Sequence, residues 1–210
     1  MNGGLLSLLG EDPLAFVLLA VALLEAIALH EFAHAMAADL QGDRLPRAMG
    51  RLTLNPIRHL DPLGTLLIFL VGFGWGKPVE FRLNALSSKR FGPAFVTLAG
   101  PLMNLFLAVV GAFGLAASAR FGAPHSVERF FEFFVGINVL LAVFNLIPLP
   151  PLDGSRLLTI FLPPNRQNVI FFLDRYGMLI LLGLVFFGGF TILFPMIRAV
   201  QEAVYSLAGI

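Results

Sequence analysis

Four stretches of the chain, about residues 13–40, 93–119, 130–148 and 176–198, are each long and apolar enough to cross a lipid bilayer. A spanning helix needs roughly 20 mostly apolar residues. Hydrocarbon offers no partner to a peptide group, so such a segment must satisfy its backbone internally, as a helix. The chain is therefore expected to be an all-α polytopic membrane protein. Composition agrees: of 210 residues, 58% are hydrophobic and only 13% charged, against about 25% charged in a soluble domain. The net charge of +1 and the scattered basic residues give no footprint for nucleic acid. With no cysteine, disulfides, thiolate metal sites and cysteine nucleophiles are excluded. The start, MNGGLLSLLGEDP, lacks the basic region of a cleaved signal, so the first apolar segment is expected to stay in the membrane.

A fifth apolar run, 63–75, is too short to span comfortably and holds Gly72, Gly74 and, just after it, Gly76. It reads as a re-entrant element. The flanking loops carry Arg44, Arg47, Arg51 and Arg58 on one side and Lys77, Arg82, Lys89 and Arg90 on the other. Both look cytoplasmic by the excess of positive charge, so the run enters and leaves on one side. The expected topology has four spans with both termini outside. Residues 51–55 and 79–83 alternate apolar and polar at strand period, which predicts a small β-hairpin at the membrane edge. Residues 165–173 read as an interfacial segment. There is no internal repeat, and 1–210 reads as one domain.

The first span contains His30-Glu31-Phe32-Ala33-His34. On a helix, positions i and i+4 share a face, so both imidazoles can meet one zinc ion. Glu31 lies about 100° around, within reach of a metal-associated water as general base. Ionisable groups inside a span are costly and usually functional. Glu25 faces another way, and a hydrogen bond to a neighbouring helix or to water is its simplest role. A catalytic zinc usually takes three protein ligands. The candidates for the third are His59 or Asp61 in LNPIRHLDPLG and Asp153 in NLIPLPPLDG. The topology argues for Asp153, because the third span returns to the inner side just before it. His59 and Asp61 then anchor their loop. His125 falls in an outer loop, away from the metal. Asn145, near the end of the third span, could orient the site or donate to a substrate carbonyl. Asn104, beside the helix-breaking Pro101, reads first as glue between helices.

With HEFAH in the first span, AGPLMN in the second and NLIPLPPLDG in the third, the chain resembles the site-2 protease family of intramembrane zinc metalloproteases. The order and spacing follow that family from about residue 13 to 160. The resemblance implies a three-helix metalloprotease core with a hairpin or loop between its first two helices, an additional C-terminal helix at about 176–198, and a compact prokaryotic branch without PDZ or CBS domain. It implies one Zn2+ per chain on His30, His34 and Asp153, with Glu31 catalytic. It also implies a substrate site that includes Asn145, with the 51–83 region guiding substrate. Asn104 is a further candidate there, and Val79 and Phe81 would hold an extended segment by edge pairing. The expected activity is hydrolysis of peptide bonds within or near transmembrane helices of membrane-protein substrates, from a multi-pass plasma-membrane protein whose site faces the cytoplasm. Two rival readings are a zinc transporter and a non-catalytic membrane adaptor.

Overall fold

The computed structural model describes residues 5–72, 74–161 and 167–210, and among these every regular element is helical. A short α1 (Leu5–Glu11) leads into α2 (Pro13–Leu40), 28 residues long. Asp12 caps α2 by accepting from the Ala15 amide at 2.9 Å, and Pro13 fits the first turn, where an amide has no helical partner. After α3 (Leu45–Ala48) and α4 (Pro62–Val71), the second long helix, α5 (Gly92–Arg120), runs 29 residues. A turn with Gly122 at φ +63° joins it to α6 (His125–Asn145). Then follow α7 (Gly154–Phe161), α8 (Gln167–Phe186) and α9 (Phe194–Ala208).

Helices α2, α5 and α6 pack mutually and form the core. Ala108, Ala112, Val135 and Val139 fill one α5–α6 seam, while Ala22, Leu107 and Phe134 join all three helices. Small residues let the backbones approach, so dispersion rather than expulsion of water holds apolar helices together. Asp12 pairs with Arg129 at 2.6 Å, which places the starts of α2 and α6 together. At the opposite end, Gln41 after α2 meets Gly92 and Ser87 before α5. Thus α2 and α6 run the same way and α5 runs against them, so the end of α6 comes back toward the second half of α2.

Among the described residues two helices, α2 and α5, are long and apolar enough to cross a membrane. Helix α6 begins with Glu128, Arg129 and Glu132, which shortens its apolar stretch. The expected last span at 176–198 is not one helix. Gly188 adopts φ +80° and the chain breaks between α8 and α9, with Pro195 in the first turn of α9. Val204 of α9 packs onto the α5–α6 seam, whereas Leu181 of α8 packs against Leu149 and Leu152.

Helix α4 ends at Gly72 with φ +77°, and the chain turns back on itself. A Cβ on Gly64 would collide with the Trp75 carbonyl, and one on Gly74 with the Gly64 carbonyl. The return closes with an antiparallel bridge between Leu60 and Gly76 and a bond from the Lys77 amide to the His59 carbonyl at 2.7 Å. The expected hairpin strands at 51–55 and 79–83 do not form among the described residues. The alternation is real, but other groups take its place: Arg51 turns inward and donates to the carbonyls of Arg58 and Lys77, and Asp43 takes the Arg82 amide at 2.5 Å. Of residues 165–173, 165 and 166 lie outside the described residues, and the remainder belongs to α8.

Candidate metal centre

The i, i+4 spacing on α2 stacks His30 and His34 edge to face, with ring centroids 4.6 Å apart. Both rings are buried. Their Nε2 atoms lie 3.0 Å apart, and Asp153 Oδ2 is 3.0 Å from that of His30 and 3.2 Å from that of His34. Asp153 comes from 123 residues further along, out of the turn between α6 and α7. Helix α8 backs that turn: a Cβ on Gly177 would meet the Pro150 carbonyl at 2.5 Å.

The hydrogen bonds of the far ring nitrogens fix the protons. His34 Nδ1 is 2.7 Å from the Val96 carbonyl, which can only accept, so that nitrogen donates. His30 Nδ1 is 2.6 Å from Asn104 Oδ1. The Asn104 amide nitrogen is committed to the Ala26 carbonyl at 3.2 Å and to Asn138 Oδ1 at 2.8 Å. Asn138 in turn donates to the Phe134 carbonyl at 2.9 Å. The Asn104 oxygen therefore faces His30, and His30 Nδ1 also donates. Both neutral rings then point a lone pair from Nε2 at the same place as Asp153 Oδ2.

With both rings neutral, three acceptors with no proton among them converge at 3.0–3.2 Å. In a neutral-ring state that arrangement is repulsive unless a cation lies between them. A tetrahedral ion with bonds of about 2.0–2.1 Å separates its ligand atoms by about 3.3 Å, close to what is found. Gly100, on α5 in the AGPLMN stretch, clears the approach. A Cβ there would lie 2.6 Å from His30 Nε2 and closer still to His34 Nε2. Two nitrogens and one carboxylate oxygen suit zinc. Among the described residues this is the one group of three such side chains that could hold a metal ion.

The other residues singled out in the sequence are placed as follows. Glu31 is largely buried, and its Oε2 has no hydrogen-bond partner. Glu25 lies on an exposed face of α2. His59 is fully buried but outside the group of three, donating from Nε2 to the Thr53 carbonyl at 2.7 Å. Asp61 caps α4 through the Gly64 amide at 2.8 Å. His125 begins α6, at the end away from Asp153, and pairs with Glu128 at 3.4 Å. Asn104 is fully buried and sits directly behind His30. Asn145 donates back to the Leu141 carbonyl at 3.0 Å and makes no bond to the group of three. Phe81 packs against Ala38, Leu86 and Val96, and Val79 is half-buried. Sequence reasoning missed Asn138, Gly100 and Arg51. Asn138 had a usable signal, as an amide in the middle of an apolar helix. Gly100 is also recoverable, being four residues before Asn104.

The sequence model of "Peptidase family M50" matches residues 116–187, a stretch that includes Asp153. Over 198 residues, 90% of each chain, the protein is 36% identical to "Putative zinc metalloprotease YwhC" of Bacillus subtilis (strain 168). It is 34% identical to "Putative zinc metalloprotease Rip2" of Mycolicibacterium smegmatis over 87% of this chain and 74% of that one. "Putative zinc metalloprotease Rip2" of Mycobacterium tuberculosis (strain H37Rv) is also 34% identical, with the same shares covered. No solved structure matches. Motifs in order along the helices, and relatives similar over nearly their whole length, lead to one conclusion: the chain belongs to peptidase family M50, the site-2 proteases.

Proposed function

We propose that the protein is an intramembrane zinc metalloendopeptidase that cuts membrane-protein substrates within or near a transmembrane helix. His30, His34 and Asp153 hold one zinc ion in this reading, and Glu31 is the catalytic acid–base. The observation that carries it is the convergence of three lone pairs whose protons are accounted for elsewhere. Zinc bound there supplies Lewis acidity toward a water molecule and the scissile carbonyl. The chain supplies the rest. Glu31 keeps one carboxylate oxygen without a hydrogen-bond partner, as a group that must accept a proton from water requires. It passes that proton to the leaving amine. Asn104 and the Val96 carbonyl keep both rings oriented with Nε2 forward. Asn145 spends one amide hydrogen on Leu141 and retains a second for a substrate carbonyl.

A helical substrate must unwind locally before cleavage, because its carbonyls are tied in i to i−4 bonds. Residues 78–81, which have no ladder partner, offer an edge for the extended segment through the Val79 and Phe81 backbone. The charged loops 41–61 and 77–90 lie at one end of the bundle, which supports a site on the cytoplasmic side of a multi-pass plasma-membrane protein. A transport path would need polar groups strung along the crossing. Here His30, His34, Asn104 and Asn138 are joined in one buried network around the ring nitrogens.

The test is metal content and cleavage in purified protein, with a tagged single-span membrane reporter as substrate. Glu31→Gln is expected to keep about one zinc per chain and to lose cleavage. Asp153→Ala loses the metal, while His59→Ala retains it. Cleavage by Glu31→Gln, or zinc retained by Asp153→Ala, refutes the assignment.

A further inference from the structure

Glu31 is flanked on two sides by a loop that contributes nothing to the group of three. On one side lies Gly76, where a Cβ would come within 3.5 Å of Glu31 Oε1, 3.2 Å of the His59 carbonyl and 2.9 Å of Ile27 Cγ2. On the other side lies the Arg51 guanidinium, with Nη2 at 3.9 Å from Glu31 Oε2. Arg51 is 4% exposed. A buried guanidinium is costly unless its donors are used. Two of them go to backbone carbonyls on either side of the re-entrant element, Nη1 to Arg58 and Nη2 to Lys77. One side chain thus bridges the entry and the exit of α4, beside the Leu60–Gly76 bridge.

We infer that Arg51 is a positioning residue for Glu31: it clamps the 58–60 and 76–77 segments together and closes them, with its own positive charge, over the carboxylate. The inference rests on Glu31 as the proton carrier for its functional meaning, but the clamp itself is a structural claim. The geometry explains three features together. Arg51 is buried although it lies in a loop. Glu31 Oε2 is buried without a hydrogen-bond donor yet is not left without a cation. At position 76 a Cβ would crowd the Ile27 methyl and the His59 carbonyl. Lysine cannot reproduce the role fully, because an ammonium has no planar fork to reach two carbonyls at once.

The experiment is a double-mutant cycle on the metal-free full chain in detergent, reading thermal midpoints of wild type, Arg51→Gln, Glu31→Gln and the double variant. The midpoint loss from Arg51→Gln is expected to be smaller when Glu31 is already Gln, with a difference of about 2–4 °C. Additive losses overturn the proposal. A second reading uses Glu31→Gln alone, so it does not depend on an Arg51 variant folding. Hydrogen exchange at the Lys77 amide, bonded to the His59 carbonyl, should speed up relative to wild type. Unchanged exchange there overturns the coupling between the carboxylate and the clamped segments. In cleavage of the single-span reporter, Arg51→Lys should recover part of the kcat lost by Arg51→Gln at similar KM. Equal kcat for the two variants overturns a role for the charge. None of the metal-free readings changes if Glu31 proves to have another chemical task.

Discussion

Replacing Gly100 by alanine sets two forces against each other with opposite signs. Gly100 is inside α5, where alanine is better than glycine by about 1 kcal/mol from helix propensity. Packing says the reverse. The new Cβ would sit 2.6 Å from both Nε2 and Cε1 of His30, and nearer still to His34 Nε2. Comfortable contact is about 3.5–4.0 Å, so both rings must retreat by about 1 Å. They are tied from behind by bonds of 2.6 and 2.7 Å to Asn104 and Val96. Retreat is blocked by those partners, and sideways motion stretches bonds that weaken beyond about 3.2 Å. Overpacking of this kind costs about 1–3 kcal/mol; less the propensity gain, the net loss is about 0–2 kcal/mol, which for a chain of this size lowers the thermal midpoint by up to about 8 °C. Displaced ring nitrogens should also cost at least the 10–100-fold in zinc affinity typical of lost supporting contacts. The assay is a melt of metal-free protein together with zinc retention against a competing chelator. Gly136→Ala is the control, since a Cβ at that helical position meets nothing within 4 Å. It should be neutral or slightly stabilising. If Gly100→Ala melts above wild type and keeps zinc as tightly, the rings have room that this geometry denies them.

Three further outcomes are expected. Asn138→Ala should weaken zinc binding about 10–100-fold without touching a ligand, because Asn104 loses the bond that keeps its oxygen toward His30; unchanged affinity by chelator competition would show that the Ala26 contact alone suffices. Phe81→Pro should impair cleavage of the single-span reporter while zinc stays bound, and full activity would remove the edge-pairing role. Asp43 should shape acid stability. Burial raises its carboxyl, but the Arg82 amide and guanidinium and the Leu45 amide bring it below its ordinary value of 3.8. Its contribution is then fully present above that value and fades as pH falls through the lower folded-state value. Asp43→Asn should flatten the acid limb of a stability–pH profile, and an unchanged limb would count against the pairing with Arg82.

The long helices were legible because their signal is additive: dozens of apolar residues bounded by Pro13 and by Gly92-Pro93 outweigh any local preference. The i, i+4 histidines were legible for the same geometric reason, and Asp153 followed from the direction of travel of the spans. The loop region resisted reading. Alternation at 51–55 and 79–83 is the same on paper whether a strand ladder or a buried arginine satisfies the carbonyls, and here Arg51 does so. The break in the expected last span was written in Phe187-Gly188-Gly189, yet apolar content alone reads through it. Asn138 was hidden because an amide on a helix interface cannot be assigned a partner until the angle between helices is known.

The long separation between the histidines and Asp153 sets a timetable for the protein's own synthesis. His30 and His34 enter the membrane early, with the first long helix. Asp153 is made only after α5 and α6, more than a hundred residues later. A nascent chain therefore carries two imidazoles and Glu31 without the carboxylate that completes the group of three. In the proposed reading it stays silent while its own spans, and those of its neighbours at the insertion machinery, are still being threaded. In that reading competence arrives only when the bundle has closed, because Asp153 is the last of the three side chains to be made.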